Sequence, residues 1–199
     1  MLTACQASGP LGTVMKCAEE VFHEDPADSN AKYIHSKLAV YSLKAAAGVF
    51  GEQVEIGEYT INQKTEQILK DIYRRQPDVV AFSCYIWNRR MVEELIRELP
   101  KVLPGVRLWA GGPEGTYDAR AFLEACPKAA GVMRGEGEET FCRLAAYYIE
   151  GECLLSGIRG LAYRGEDGRI HETEEREPAD MDRLPFACEN PERFTNRIV

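Results

Sequence analysis

Three short stretches of the chain carry groups able to hold a ligand: SCYIWN at 83–88, GGPE at 111–114 and RGEGEE at 134–139. The first offers a hydroxyl, an amide and two rings through Ser83, Asn88, Tyr85 and Trp87, with the Cys84 thiol between them. In the second, Gly111 and Gly112 leave out the Cβ that would stop a flat, bulky group from approaching the backbone, next to Pro113 and Glu114. In the third, Gly135, Glu136, Gly137 and Glu138 open a helix, where carboxylates suit the positive end of the dipole. They would accept from hydroxyl or amide donors and would repel a phosphate. Neither GxxxxGK[ST] nor GxGxxG occurs, so no simple phosphate loop is expected. Seven cysteines lie dispersed along the chain with no CxxC or CxxxCxxC, which leaves neither zinc nor an iron–sulfur cluster with local support. Each stretch also has a purely structural reading. A glycine pair makes a tight turn, and Tyr85 and Trp87 can serve as packing aromatics on a strand-to-helix loop.

The elements that must position these loops follow from the hydrophobic pattern. Pro77 admits the run Val79, Val80, Ala81, Phe82, continuous and partly β-branched, which reads as the central strand of a sheet covered on both faces. Before it the pattern predicts a helix over 36–47, with Leu38, Ala39, Leu43, Ala46 and Ala47 inward and Gly48 as a left-handed stop. A strand over 54–61 and a helix over 65–75, with Ile68, Leu69, Ile72 and Tyr73 inward, come next. After it come a helix over 91–99, a strand over 106–110, a helix over 117–125, a strand over 130–133 and a helix over 139–149. Strands alternating with helices across short loops imply a flavodoxin-like, doubly wound parallel α/β sheet of about five strands, with ligands at the carboxyl ends of the strands. Strand-like runs at 158–164 and 169–173, around Gly165-Glu166-Asp167-Gly168, form a C-terminal β-hairpin extension. The N-terminal 29 residues are the least regular. Residues 1–6 are a possible sheet edge and 13–22 a helical turn or two. The clean apolar strand expected directly before Asn30 is not visible.

At 199 residues, with a formal net charge of −8, the chain has no basic footprint for nucleic acid. No apolar run approaches the ~20 residues that cross a bilayer and no basic-then-apolar leader is seen, so no membrane partner is expected and the location expected is cytoplasmic.

The ordered combination NAKYIHS, EYTIN, DIYRRQPDVVAFSCYIWN, GGPE, RGEGEETF, GLAYR and LPF resembles the N-terminal cobalamin-binding domain of the cobalamin-dependent radical S-adenosylmethionine enzymes, over residues 30 to about 190. The resemblance implies a flavodoxin-like domain that binds cobalamin within a larger enzyme, a methyltransferase or related catalyst of C–C bond formation. That enzyme would use S-adenosylmethionine and a [4Fe–4S] cluster held outside this chain. The domain alone would not be an enzyme, and its partner would be the radical domain of the same polypeptide. The resemblance places the cofactor against Asn30, Tyr33 and His35, against Ser83, Cys84, Tyr85, Trp87 and Asn88, against Gly111, Gly112, Pro113 and Glu114, and against Gly135, Glu136, Gly137 and Glu138. Ser83 is similar to the serine of the SxL element of cobalamin modules and Gly111-Gly112 to their GG element. The DxHxxG element is missing, so no protein ligand to cobalt is expected from His35. The implied organisation is an atypical segment over 1–29, the cobalamin domain over 30–155, the hairpin and linker over 156–186, and the start of a radical domain over 187–199. The alternatives are a flavodoxin-like module for another cofactor such as FMN, or a non-catalytic interaction domain.

Overall fold

The computed structural model describes residues 15–21, 38–60, 62–151 and 154–177. Its frame is a seven-stranded sheet: β1 (Met15–Val21), β2 (Val54–Thr60), β3 (Val79–Ser83), β4 (Arg107–Gly111), β5 (Gly131–Met133), β6 (Leu161–Arg164) and β7 (Ile170–Glu172). The order is β2-β1-β3-β4-β5-β6-β7. The first four pairings are parallel; β6 adds antiparallel to β5, and β7 antiparallel to β6. The five parallel strands in the order 2-1-3-4-5 are the flavodoxin-like arrangement, whose winding reverses between β1 and β3. The helices are α1 (Leu38–Ala46), α2 (Thr65–Arg75), α3 (Arg89–Val102), α4 (Pro113–Tyr117), α5 (Ala119–Ala125) and α6 (Glu138–Glu150).

Strand β3 is buried on both faces, and its alternation divides the core in two. Val80 and Phe82 join Leu108, Ala110 and Phe122 and the inner faces of α2 and α3. Val79 and Ala81 join Trp109, Met133, Val40, Phe141 and Leu144 on the other side. The hairpin shares this second core through Ile158 and Leu161, so it continues the sheet.

The N-terminal expectation needs correction: the region read as a helical turn over 13–22 is β1. The strand sought directly before Asn30 lies at 15–21 and is flanked on both sides, pairing along all of β2 and with four residues of β3. Its sequence, MKCAEEV, lacks the continuous apolar run of β3. Pairing on both edges fixes a strand where local propensity does not. The expected edge at 1–6 and everything from 178 onward lie outside the described residues. Three smaller differences are also local. In α1 Ala39 is exposed and Val40 is buried in place of the inward Ala39 expected, and in α2 Tyr73 is exposed. The helix expected over 117–125 is broken at Asp118, whose carboxylate accepts from the Ala121 N–H at 2.9 Å and caps α5.

Candidate functional site

Helices that follow parallel strands begin at the sheet's carboxyl rim, so α1, α3, α4 and α6 bring their first turns to the loops after β3, β4 and β5. Between these loops and α1 lies a groove of about 120 Å³, floored by Ala81, Ser83, Gly111 and Met133 and walled by Ala39, Val40 and Leu43. Phe82, Tyr85, Gly112, Gly135, Gly137 and Glu138 complete its lining. The size is close to that of the ~150 Å³ apolar cavity that admits one benzene ring. Such a groove seats one flat ring system, and anything larger must lie across its mouth. Among the described residues, no lysine, arginine or histidine lines it.

Of the residues singled out from sequence, the structure therefore gathers Ser83, Tyr85, Gly111, Gly112, Gly135, Gly137 and Glu138 around one space. The others on the same loops have local employment. Asn88 is buried; its Nδ2 donates to the Ser83 carbonyl at 2.9 Å and its Oδ1 accepts from the Tyr85 N–H at 2.8 Å, so it closes the loop on itself. Cys84 is fully buried, and its backbone receives the glycine-pair loop: its N–H donates to the Gly111 carbonyl at 2.8 Å and its carbonyl accepts from the Glu114 N–H at 3.2 Å. Burial pushes its thiol up to about 12, so it is protonated at neutral pH. Glu114 pairs with Arg89 at 3.0 Å, and Arg89 also holds Glu93 at 2.9 Å. Hydrogen bonds from these carboxylates raise the guanidinium above its ordinary value, and the pair locks the loop after β3 to the loop after β4. Trp87 stacks on Tyr85 with centroids 4.7 Å apart and planes 8° from parallel. Pro113 and Glu136 are exposed. Asn30, Tyr33 and His35 lie outside the described residues.

The two glycines of the pair are there for different reasons. Gly112 has φ +88° and ψ 178°, a region essentially restricted to glycine, and an added Cβ would stand 2.7 Å from the Cys84 carbonyl oxygen. The fold itself demands it. Gly111 is under no such demand, since its φ is not positive and an added Cβ would meet nothing nearer than Met133 Cε at 3.5 Å. By strand alternation that Cβ would stand on the Trp109 face, among the residues of the groove floor. The groove is open there because Gly111 has no side chain.

In the wall contributed by α1, Ala39 and Leu43 were read from sequence as ordinary core and Val40 was not singled out, so none of the three was among the candidate site residues. The shortness of the Ala39 side chain was the available signal. Thr116 was also missed: its Oγ1 accepts from the Gly135 N–H at 3.3 Å and ties two of the loops together.

A model of the B12 binding domain family matches residues 26–145. The chain belongs to the B12 binding domain family. It is 30% identical over 118 residues to the 2-(S-pantetheinyl)-carbapenam-3-carboxylate methyltransferase of Streptantibioticus cattleyicolor, covering 59% of this chain and 16% of that protein. It is 32% identical over 89 residues to the cobalamin-dependent radical SAM methyltransferase TokK of Streptomyces tokunonensis, covering 45% and 13%. It is 22% identical over 166 residues to the anaerobic magnesium-protoporphyrin IX monomethyl ester cyclase of Rubrivivax gelatinosus, covering 82% and 30%. The chain thus spans under a third of each relative. Among solved structures, its fold matches OxsB, a cobalamin-dependent S-adenosylmethionine radical enzyme with aqua-cobalamin and S-adenosylmethionine bound, with a TM-score of 0.61 at 16% identity, over 82% of this chain and 22% of that one. It also matches the radical S-adenosylmethionine methyltransferase TsrM of Kitasatospora setae, with cobalamin and a [4Fe-4S] cluster bound, with a TM-score of 0.60 at 18% identity, over 88% and 31%. The B12 binding fold and family expected from the sequence are therefore both present. Among the described residues, no helix is long and apolar enough to cross a membrane.

Proposed function

We propose that this B12 binding domain holds cobalamin across the rim of β3, β4 and β5, with the flat base of its nucleotide tail in the groove and the corrin edge over the loops at 83–88, 111–114 and 134–138. The observation that carries this reading is Gly111, a glycine that the backbone does not require and whose missing side chain keeps the groove floor open. The rest of the lining fits the same ligand. Val40, Leu43 and Met133 offer aliphatic contact to a ring, while Ser83, Glu138 and the glycine backbones offer polar partners to the amides of the corrin rim. A flavin mononucleotide fits less well, because its doubly charged phosphate would find no cation among the described lining residues and a carboxylate at Glu138.

The whole protein, in this reading, is a cobalamin-dependent radical S-adenosylmethionine enzyme that transfers a methyl group or forms a C–C bond. Its S-adenosylmethionine and [4Fe–4S] cluster are bound outside this chain, by a radical domain of the same polypeptide. Bound cobalamin would supply the methyl carrier or tune the radical chemistry. This chain's own residues bind the cofactor, orient its disc and exclude water from the tail. The test is to mix the purified protein with hydroxocobalamin, desalt it and record the visible spectrum. Retention of about one cobalamin per chain is expected, and a colourless protein fraction would overturn the reading.

A further inference from the structure

We propose that Arg176 is a positioning residue for the groove, coupling the segment after β7 to the loop that lines the groove; this rests on the reading of the groove as a cofactor site. The loop at 134–138 supplies Gly135, Gly137 and Glu138 to the lining, and its two glycines give it little stiffness of its own. Its shape is imposed from outside, and mostly from one place. At its start, the Arg134 N–H donates to the Gly160 carbonyl at 2.7 Å. The Arg134 guanidinium bonds Glu172 at 3.1 Å and the Thr173 carbonyl at 2.6 Å. At its far end, the wholly buried Thr140 donates to the Arg159 carbonyl at 3.1 Å and accepts from Arg176 Nε at 3.3 Å. Arg176 also forms an ion pair with Glu139, the first-turn carboxylate of α6, and its own side chain is only 15% exposed.

Both ends of the loop are therefore bound to one short run, residues 172–176, which the Gly160 N–H fastens to β6 by donating to the Glu174 carbonyl at 2.8 Å. The arginine bonds are charge-assisted, the stronger kind, and the Arg176 side chain that makes two of them is itself mostly buried. Displacing 172–176 must pull on the loop at both ends, and a ligand that fixes the loop must in turn fix 172–176, because coupling between two sites is reciprocal. The run 172–176 is thus a brace for the groove, and Arg176 is its last fastening.

The experiment uses the whole chain with hydroxocobalamin, measuring affinity by titration and backbone amide exchange over 134–140 and 172–177 with and without the cofactor. In the unsubstituted chain, cofactor should slow exchange in both segments. Arg176→Ala should weaken binding about tenfold, a coupling of ~1.4 kcal/mol, and abolish the slowing at 172–177. Arg176→Lys, which keeps the charge but not the two-pronged geometry, should lie between. The exchanged pair Glu139→Arg with Arg176→Glu should recover part of the loss. Arg159→Ala, which removes an exposed pair with Glu174 beside the brace, should bind as the unsubstituted chain does. Unchanged affinity in folded Arg176→Ala or Arg176→Lys, or an equal loss in Arg159→Ala, would overturn the inference and leave the cofactor reading intact. If the unsubstituted chain binds no hydroxocobalamin, both fall.

Discussion

Gly111→Ala adds one methyl group to the groove floor and changes little else. The backbone at 111 is ordinary, and the new Cβ would touch Met133 Cε at 3.5 Å, a normal van der Waals distance. Replacing a strand glycine by alanine also removes freedom from the unfolded chain, so stability should hold or rise by about 0.4–1 kcal/mol. In a domain of this size that is a melting shift of roughly +1 to +4 °C. In a groove of about 120 Å³ the same methyl group is costly to a bound ring. Overpacking by one such group costs about 1–3 kcal/mol, a loss of affinity of roughly five- to 150-fold. The neighbouring Gly112→Ala behaves in the opposite way. Its Cβ would lie 2.7 Å from a backbone oxygen at φ +88°, so it should destabilise the domain by about 1–3 kcal/mol or more. Titration with hydroxocobalamin and thermal melting of both variants separate the two effects. A well-folded Gly111→Ala protein with unaltered cobalamin affinity would refute the reasoning, because the space above Gly111 would then not be where the cofactor goes.

Gly131→Ala should be among the most damaging core changes, since the added Cβ would stand 2.3 Å from the buried Trp109 ring and 2.7 Å from the Ala162 carbonyl. A loss of about 3 kcal/mol, lowering the melting point by roughly 6–12 °C, is the expected outcome by calorimetry. Cys84 is raised from an ordinary 9.0 to about 12 and Cys126 to about 11, by burial in both cases. The unfolded chain ionises first, so stability present below pH 9 should fall as pH rises from about 9 toward 11 and 12, by about 1.4 kcal/mol per pH unit for each thiol. Denaturant melts of Cys84→Ala and the unsubstituted chain at pH 8 and 10 check the sign; an identical pH slope in the two would contradict it. With no DxHxxG element, His35→Ala should leave the visible spectrum of bound hydroxocobalamin unchanged, and an altered axial-ligand signature would show that His35 ligates cobalt.

Much of the site was legible because its signals are local. Apolar residues on both faces at 79–82 require a covered central strand, and glycines at strand ends mark where the backbone must turn or stay bare. This put seven of the groove's residues into view, Ser83 and Tyr85 on one loop and the glycines with Glu138 on two others. The same local rule did not reveal the packing roles of Asn88 and Glu114. A polar side chain at a rim reads as a ligand partner until the fold shows that its hydrogen bonds are already made to the loop backbone or to Arg89.

The sequence by itself determined the alternation of helix and strand, the central strand and the rim on which the loops lie, because periodicity and turn chemistry act over a few residues. Only the tertiary structure decided three things. It made 15–21 a strand, since a segment without an apolar run is held there by hydrogen bonds to β2 and β3, whose paired residues lie 39 and 64 positions further along the chain. It placed α1 beside the loops, turning Ala39 and Leu43, read as core, into wall beside Val40. It fastened 172–176 to the loop at 134–140 through Arg134 and Arg176. Each depends on partners far apart in the chain, and no short-range pattern records which distant backbone or carboxylate will complete a given hydrogen bond.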